Sequence, residues 1–172
     1  MPPKVLIIMG SDSDLPVMKK AADALEEFGV EYEMVISSAH RVPDKTAEYA
    51  KEAEERGIEV IIAGAGMAAH LPGVIASHTT LPVIGVPIAS GPLNGVDALY
   101  AIVQMPSGIP VASMAVDGTK NAAIFAVQII ARKERDLALK LKKYKEDMAR
   151  QVIEKNEQLS RIGVKEYLKQ NK

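Results

Sequence analysis

Short runs of valine and isoleucine alternate with helix-forming segments along the first half of the chain, and this alternation constrains the fold more than any other feature. The runs occupy residues 5–9, 30–36, 60–63 and 83–86. Continuous apolar runs are typical of strands in a parallel sheet that is covered on both faces. Strands that alternate with helices connect through right-handed crossovers. The pattern predicts an α/β fold, a three-layer sandwich around a doubly wound, mainly parallel sheet of flavodoxin-like or Rossmann-like type.

Amphipathic segments fill the spaces between the predicted strands. We expect helices over residues 14–28 and 43–56, because each shows helical periodicity and each is followed by a glycine. Residues 120–162 contain neither glycine nor proline, so we expect a long C-terminal helix from 120 to about 156. The predicted organisation is one catalytic α/β domain over residues 1–156 that includes this helix, and a C-terminal extension over 157–172.

Composition excludes several classes of protein. The net charge of −1 argues against binding of nucleic acid by bulk electrostatics. The absence of cysteine excludes disulfides and thiolate catalysis, and no cleavable signal is recognised, so we expect a cytoplasmic protein. Between residues 60 and 116 the only charged side chain is Asp97. That stretch is too rich in glycine and proline to span a membrane, and part of it is expected to lie against other copies of the chain.

The turn after the first predicted strand, residues 10–14, is rich in glycine, serine and aspartate. Ser13 is placed to cap a helix that begins at Asp14. Ser11 and Ser13 can also donate hydroxyl groups to an anion at that helix N-terminus, and Asp14 can accept hydrogen bonds from a ribose diol. Ordinary turn and capping chemistry explains the same residues, so both interpretations stay open from the sequence.

The turn after the second predicted strand places His40 beside Arg41. Imidazole changes charge near neutral pH and can carry a proton, whereas the forked guanidinium group suits a phosphate. The alternatives are a structural histidine and an ion pair between Arg41 and Asp44. No spacing typical of metal ligands accompanies His40, so we expect no metal site.

The turn after the third predicted strand resembles a dinucleotide-binding fingerprint in the spacing of Gly64, Gly66 and Ala69. The acidic residue expected at the end of the next strand is missing, which excludes that interpretation. What remains is a backbone that a small planar or anionic group can approach closely, with His70 closing the loop. Because ligands bind beyond the carboxyl ends of parallel strands, the three turns are expected to form one site.

Four motifs carry a resemblance to a known family. They occupy residues 10–14, 38–43, 64–73 and 95–106, and their order and spacing are specific. Over residues 4–154 the chain resembles the bacterial class of 5-(carboxyamino)imidazole ribonucleotide mutases of purine biosynthesis. The resemblance implies a homo-octamer of doubly wound subunits that uses no cofactor. It also implies transfer of the substrate's carboxylate from the exocyclic nitrogen to ring carbon 4.

The resemblance further implies roles for particular residues. His40 is expected to be the proton carrier. The ribose phosphate is expected to be held by Ser11, Ser13, Asp14, Ser38 and Arg41. The carboxylate or carbon dioxide is expected to be held by the 64–71 loop, which contributes Gly64, Gly66, Ala68, His70 and Leu71. Two alternatives remain: direct carboxylation of aminoimidazole ribonucleotide by carbon dioxide, and a non-catalytic nucleotide-binding assembly protein.

Overall fold

The central sheet contains five strands: β1 (Val5–Met9), β2 (Tyr32–Ile36), β3 (Val60–Gly66), β4 (Val83–Ile88) and β5 (Ala112–Ser113). All are parallel, in the order β2-β1-β3-β4-β5. Met9 at the end of β1 pairs with Ile36 on one side and with Gly64 on the other. Because the strands end at nearly the same level, the turns that follow β1, β2 and β3 lie at one edge of the sheet.

A computed structural model describes residues 2–171. The predicted domain over 1–156 begins at residue 1, and the predicted extension over 157–172 ends at residue 172. Both of these terminal residues lie outside the described residues. The chain divides into two compact units, Met1–Ile130 and Ala131–Lys172. The predicted boundary at residue 156 stays a prediction.

Five helices cover the sheet in the first unit: α1 (Leu15–Phe28), α2 (Pro43–Glu52), α3 (Leu71–His78), α4 (Val96–Val103) and α5 (Thr119–Ile130). Helices α1 and α5 pack together on one face of the sheet, whereas α2, α3 and α4 share a buried cluster on the other face. Each face of β1, β3 and β4 is therefore covered, and all their residues except Gly66 are buried. The predicted three-layer α/β sandwich is confirmed, and the sheet is wholly parallel.

The predicted element limits were partly wrong. Strand β2 begins at Tyr32, two residues later than its apolar run, while β3 and β4 extend to Gly66 and Ile88. Helix α2 ends at Glu52, and a turn leads from there to Gly57. Helix α1 ends as predicted, since Gly29 adopts a left-handed conformation (φ 70°) and its N–H donates to the carbonyl oxygens of Glu26 and Leu25.

The second unit consists mainly of α6 (Arg135–Gln170). The predicted long C-terminal helix is confirmed, but its predicted limits of 120 to about 156 were wrong: α5 ends at Ile130, and Glu134 is extended (φ −119°, ψ 104°). Neither glycine nor proline marks that break. A second interruption falls at Gly163 (φ 74°, ψ 163°), and beyond it the side chain of Gln170 accepts a hydrogen bond from Gln158 at 3.3 Å. Within residues 2–171 no helix is long and apolar enough to cross a membrane.

Gly85 in β4 allows α3 and α4 to pack closely on the sheet. A Cβ atom at this position would lie 2.5 Å from Cγ2 of Ile102, 2.9 Å from Cγ1 of Val111 and 3.3 Å from Cβ of Pro72. These side chains are branched or cyclic and have little freedom to move. We expect Gly85→Ala to lower the free energy of unfolding by about 1.5 kcal/mol, measured by denaturant titration. The matched control is Gly10→Ala, where an added Cβ meets nothing within 4 Å. Equal losses in the two variants would contradict this packing argument.

Candidate active site

A cavity of about 260 Å³ lies at the carboxyl edge of the sheet. The chain leaves β1 toward β2 on one side, whereas β3 lies on the other side of β1. In open α/β sheets this reversal of strand order creates the crevice in which ligands bind. The cavity is lined by the turns after β1, β2 and β3 and also by the turn after β4.

All the predicted site residues except Gly64 and Ala68 line this one cavity; those that do are Ser11, Ser13, Asp14, Ser38, His40, Arg41, Gly66, His70 and Leu71. The structure thus brings together residues from three separate turns. Gly64 lies inside β3, where an added Cβ would fall 2.3 Å from Sδ of Met18. A side chain at this position would therefore point into the core and not into the cavity. Ala68 is exposed outside the cavity lining.

The turn after β1 is a single 3₁₀ turn over Asp12–Asp14. The expectation that Ser13 caps the following helix was wrong. Ser11 caps this turn by accepting a hydrogen bond from the N–H of Ser13 at 3.3 Å, and α1 begins only at Leu15. The hydroxyl of Ser13 also donates to the hydroxyl oxygen of Ser11 at 2.9 Å. The two serine hydroxyls are therefore held side by side in the cavity wall.

Asp14 is the acidic group in the cavity wall, and it is 8% exposed. Burial raises the pKa of the Asp14 carboxyl above its ordinary value of 3.8, and the charge of Asp12 adds to the rise. Hydrogen bonds from the Ser13 side chain and the Ser11 backbone act in the opposite direction. The buried carboxylate is therefore costly to the folded state when it is charged.

We expect Asp14→Asn to stabilise the fold at about pH 7 but not at about pH 3. A carboxyl group with a raised pKa binds its proton more tightly in the folded than in the unfolded chain. The free energy of unfolding therefore falls as pH rises from 3.8 through the folded-state pKa. Asparagine has no ionisable carboxyl group, so the variant lacks this contribution to the pH dependence of the free energy of unfolding. Thermal unfolding of wild type and variant at the two pH values measures the difference. A variant destabilised equally at both values would contradict the assignment.

A buried pair of hydroxyl groups, those of Ser37 and Thr46, stabilises the turn after β2. Thr46 donates to the carbonyl oxygen of Val42 at 3.0 Å, and the hydroxyl groups of Ser37 and Thr46 lie 2.7 Å apart. Because a threonine hydroxyl has one proton, Ser37 is the donor in that pair. Above it, the N–H of Arg41 donates to the carbonyl and side-chain oxygens of Ser38 at 3.2 and 3.3 Å.

Arg41 connects the first two turns. Its Nη2 donates to the carbonyl oxygen of Gly10 at 2.9 Å. The alternative, an ion pair between Arg41 and Asp44, does not form. Within residues 2–171, Arg41 makes no salt bridge with any carboxylate. The guanidinium group is thus oriented by a backbone oxygen, and its other N–H groups are suited to an anion in the cavity.

The turn after β3 brings backbone close to the cavity. Met67 and Ala69 have left-handed conformations (φ 50° and 34°), which are unfavourable for residues other than glycine. A Cβ atom at Gly66 would lie 2.0 Å from Oγ of Ser90, so only glycine fits there without displacing that serine. Strained backbone that surrounding structure maintains is a feature of functional sites.

His70 follows this turn and contacts His40. Nε2 of His40 lies 2.7 Å from Nδ1 of His70, and the two rings meet edge to face with centroids 5.0 Å apart and an interplanar angle of 78°. The proposed proton carrier is therefore hydrogen-bonded to another imidazole across the cavity. His78, the third histidine, lies at the end of α3 outside this cavity.

The sequence argument missed Ser90, which lines the cavity from the turn after β4. Its position follows the same rule as the other three turns, since β4 is a further parallel strand that ends at this edge. The signal was a serine and a glycine directly after an apolar run. Within residues 2–171 no group of three histidine or acidic side chains is placed to hold a metal ion.

Comparisons with known proteins show which family the chain belongs to. A family model described as AIR carboxylase matches residues 4–151. The chain is 63% identical to the N5-carboxyaminoimidazole ribonucleotide mutase of Thermotoga maritima over 98% of each sequence. It is 64% identical to the enzyme of that name from Pyrococcus horikoshii, over 96% of this chain and 94% of the relative. A crystal structure of PurE from Treponema denticola superposes with a TM-score of 0.84 at 34% identity, over 91% of this chain and 98% of that one. The chain therefore belongs to the AIR carboxylase family.

Proposed function

We propose that this chain is an N5-carboxyaminoimidazole ribonucleotide mutase of de novo purine biosynthesis. It moves the carboxylate of the substrate from the exocyclic nitrogen to ring carbon 4. The observation that carries the proposal is one cavity in which His40, Arg41, the serine pair and the glycine-containing turn after β3 converge. The near-full-length identity to relatives of that name supports the choice of reaction.

The nucleotide is held by the first two turns in this proposal. Arg41 and the hydroxyl groups of Ser11, Ser13 and Ser38 supply donors to the phosphate, and Asp14 accepts hydrogen bonds from the ribose. These side chains line the cavity from the turns after β1 and β2. Charge-assisted hydrogen bonds of this kind are about twice as strong as neutral ones, so most of the affinity comes from these donors.

His40 moves a proton in both halves of the reaction. As an imidazolium ion it protonates the exocyclic nitrogen. The bond between that nitrogen and the carboxylate carbon then breaks, its electron pair stays on nitrogen, and carbon dioxide is released. Ring carbon 4, which is enamine-like, forms a bond to carbon dioxide. His40 then removes the proton left on ring carbon 4, so the imidazolium ion is restored and the reaction is an isomerisation.

The turn after β3 holds the carboxylate and retains carbon dioxide between the two halves. Gly66, His70 and Leu71 line that side of the cavity, together with Met67 and Ala69. Ala68 contributes through the backbone path of the turn, whereas Gly64 supports the turn from within β3 by allowing Met18 and Ile88 to pack closely. The apolar wall excludes water, which would otherwise compete for protons and dilute the released gas.

The predicted homo-octamer and cytoplasmic location belong to this proposal. Exposed apolar side chains on α4, namely Val96, Tyr100 and Val103, support association of copies, because an exposed stripe of this kind is costly in a monomer. Sedimentation at micromolar concentration is expected to show a homo-oligomer, and a monomer at that concentration would exclude it.

The assay mixes the protein with the carbamate nucleotide and follows the ultraviolet absorbance of the carbon-carboxylated product. A parallel reaction supplies aminoimidazole ribonucleotide and bicarbonate at equal concentration. We expect rapid product formation only from the carbamate. Faster reaction from aminoimidazole ribonucleotide would favour direct carboxylation, and no reaction with either would favour a non-catalytic nucleotide-binding protein.

A further inference from the structure

The hydrogen bond between His40 and His70 has a direction that the proposed chemistry restricts. An imidazole hydrogen bond joins one N–H to one nitrogen lone pair. Nε2 of His40 and Nδ1 of His70 are 2.7 Å apart, so one of these two atoms carries the proton and the other does not. Within residues 2–171 this is the only hydrogen bond of either ring to another residue.

Only one direction of this hydrogen bond is compatible with both the neutral and the charged form of His40. If Nδ1 of His70 were the donor, protonation of His40 would place two N–H groups face to face and break the bond. If Nε2–H of His40 is the donor, the bond persists whether His40 is neutral or an imidazolium ion. The proposed function requires His40 to alternate between these states in every turnover.

We propose that His70 is a positioning residue that keeps the proton of His40 on Nε2, so that Nδ1 of His40 is the nitrogen that exchanges a proton with the nucleotide. This inference rests on the proposed function. It also assigns the proton of neutral His70 to Nε2, because its Nδ1 is the acceptor. The Nε2–H of His70 then remains as a donor for the migrating carboxylate.

Other charged groups near His40 do not replace His70 in this role. Arg41 is a donor only and is bound to Gly10, while Asp12 and Asp14 belong to the turn after β1, where their oxygens accept hydrogen bonds from serine hydroxyl groups. The turns after β3 and β4 carry no charged side chain. Asp117 lies behind the turn after β4 and accepts from the N–H of Ala89. No carboxylate is hydrogen-bonded to the His40 ring within residues 2–171.

A nitrogen-15 NMR measurement on the nucleotide-free wild-type protein tests the direction without any variant. Ring nitrogens with and without a proton differ strongly in chemical shift. At a pH where His40 is neutral, we expect protonated Nε2 and bare Nδ1 for His40, and protonated Nε2 and bare Nδ1 for His70. A neutral His40 that carries its proton on Nδ1 would overturn the proposal.

A pair of variants tests the consequence for catalysis. His70→Asn keeps an acceptor, since its amide oxygen can occupy the position of Nδ1, whereas His70→Leu has a similar volume and no acceptor. We expect His70→Leu to lower kcat about tenfold and to let the proton of neutral His40 distribute between Nε2 and Nδ1 in the nitrogen-15 spectrum. His70→Asn is expected to keep that proton on Nε2. The same distribution of the His40 proton in all three proteins would refute the role.

The two experiments separate this inference from the function on which it rests. A wild-type protein without mutase activity refutes the proposed function, whatever the NMR spectrum shows. An active wild-type protein that carries the proton of neutral His40 on Nδ1, or one in which His70→Leu leaves the distribution of that proton unchanged, refutes the positioning role and leaves the mutase assignment intact.

Discussion

We expect His40→Asn to lower kcat by about a thousandfold and to change the affinity for the ribonucleotide by less than about threefold. Proton transfer by a positioned side chain contributes roughly 10²–10⁴-fold to a rate, and the amide of asparagine does not take up a proton near neutral pH. His40 is exposed and lies outside the buried core, so the fold should be unaffected by the substitution. The proposed phosphate donors, Arg41 and the serine hydroxyl groups, should also keep their positions. Product absorbance gives kcat, and calorimetric titration with aminoimidazole ribonucleotide gives the affinity.

The control is His78→Asn, which changes a histidine outside the cavity. This variant is expected to retain wild-type kcat. Turnover within a few-fold of wild type for His40→Asn would exclude His40 as the proton carrier. Loss of nucleotide affinity equal to the loss of kcat would instead place His40 in the binding of the phosphate.

The second large effect is expected from Arg41→Lys, which should weaken nucleotide binding roughly 10- to 100-fold. Arg41 can donate to the Gly10 carbonyl oxygen and to a phosphate at the same time, because the N–H groups of its planar guanidinium point in different directions within that plane. A lysine ammonium is a point charge on a flexible chain and cannot keep both contacts in that geometry. The loss should appear in KM and in the dissociation constant more than in kcat.

Arg150→Lys is the matched control, since Arg150 lies on α6 and pairs there with Asp147 and Glu154. Its effect on nucleotide affinity is expected to be within the error of the titration. Unchanged affinity in Arg41→Lys would remove Arg41 from the phosphate site and leave its contact with Gly10 as a structural link between two turns.

The sheet and the position of the site were predictable from the sequence for a physical reason. A parallel strand covered on both faces needs apolar residues at every position, and 5–9, 60–63 and 83–86 show this without polar interruption. Once those strands are parallel, the turns after them must lie at one edge. The convergence of His40, Arg41 and Gly66 in one cavity follows from that topology.

The missed features depend on contacts that no local pattern encodes. Strand β5 has two residues and exists because Ala112 and Ser113 pair with the edge of β4. The helix break between Ile130 and Arg135 has neither glycine nor proline. Gly64 was assigned to the site from its motif, yet contacts with Met18 and Ile88 make it a packing position.

The contact between His40 and His70 joins residues thirty positions apart in the chain. The sequence placed the two histidines at the ends of β2 and β3, which are separated in the sheet by β1. Whether two side chains meet across an intervening strand depends on the length and direction of both turns. No local pattern in the sequence determines that distance.

Hydrogen exchange at ring carbon 4 of bound aminoimidazole ribonucleotide tests the central claim most directly, namely that His40 exchanges a proton with the nucleotide. The nucleotide is labelled with deuterium at that carbon and incubated with wild-type protein, with His40→Asn or without protein, and mass spectrometry follows loss of the label. We predict rapid loss with the wild type and background loss with the variant, although both bind the nucleotide. Equal rates of loss in wild type and His40→Asn, or a wild-type rate no higher than background, would contradict the account.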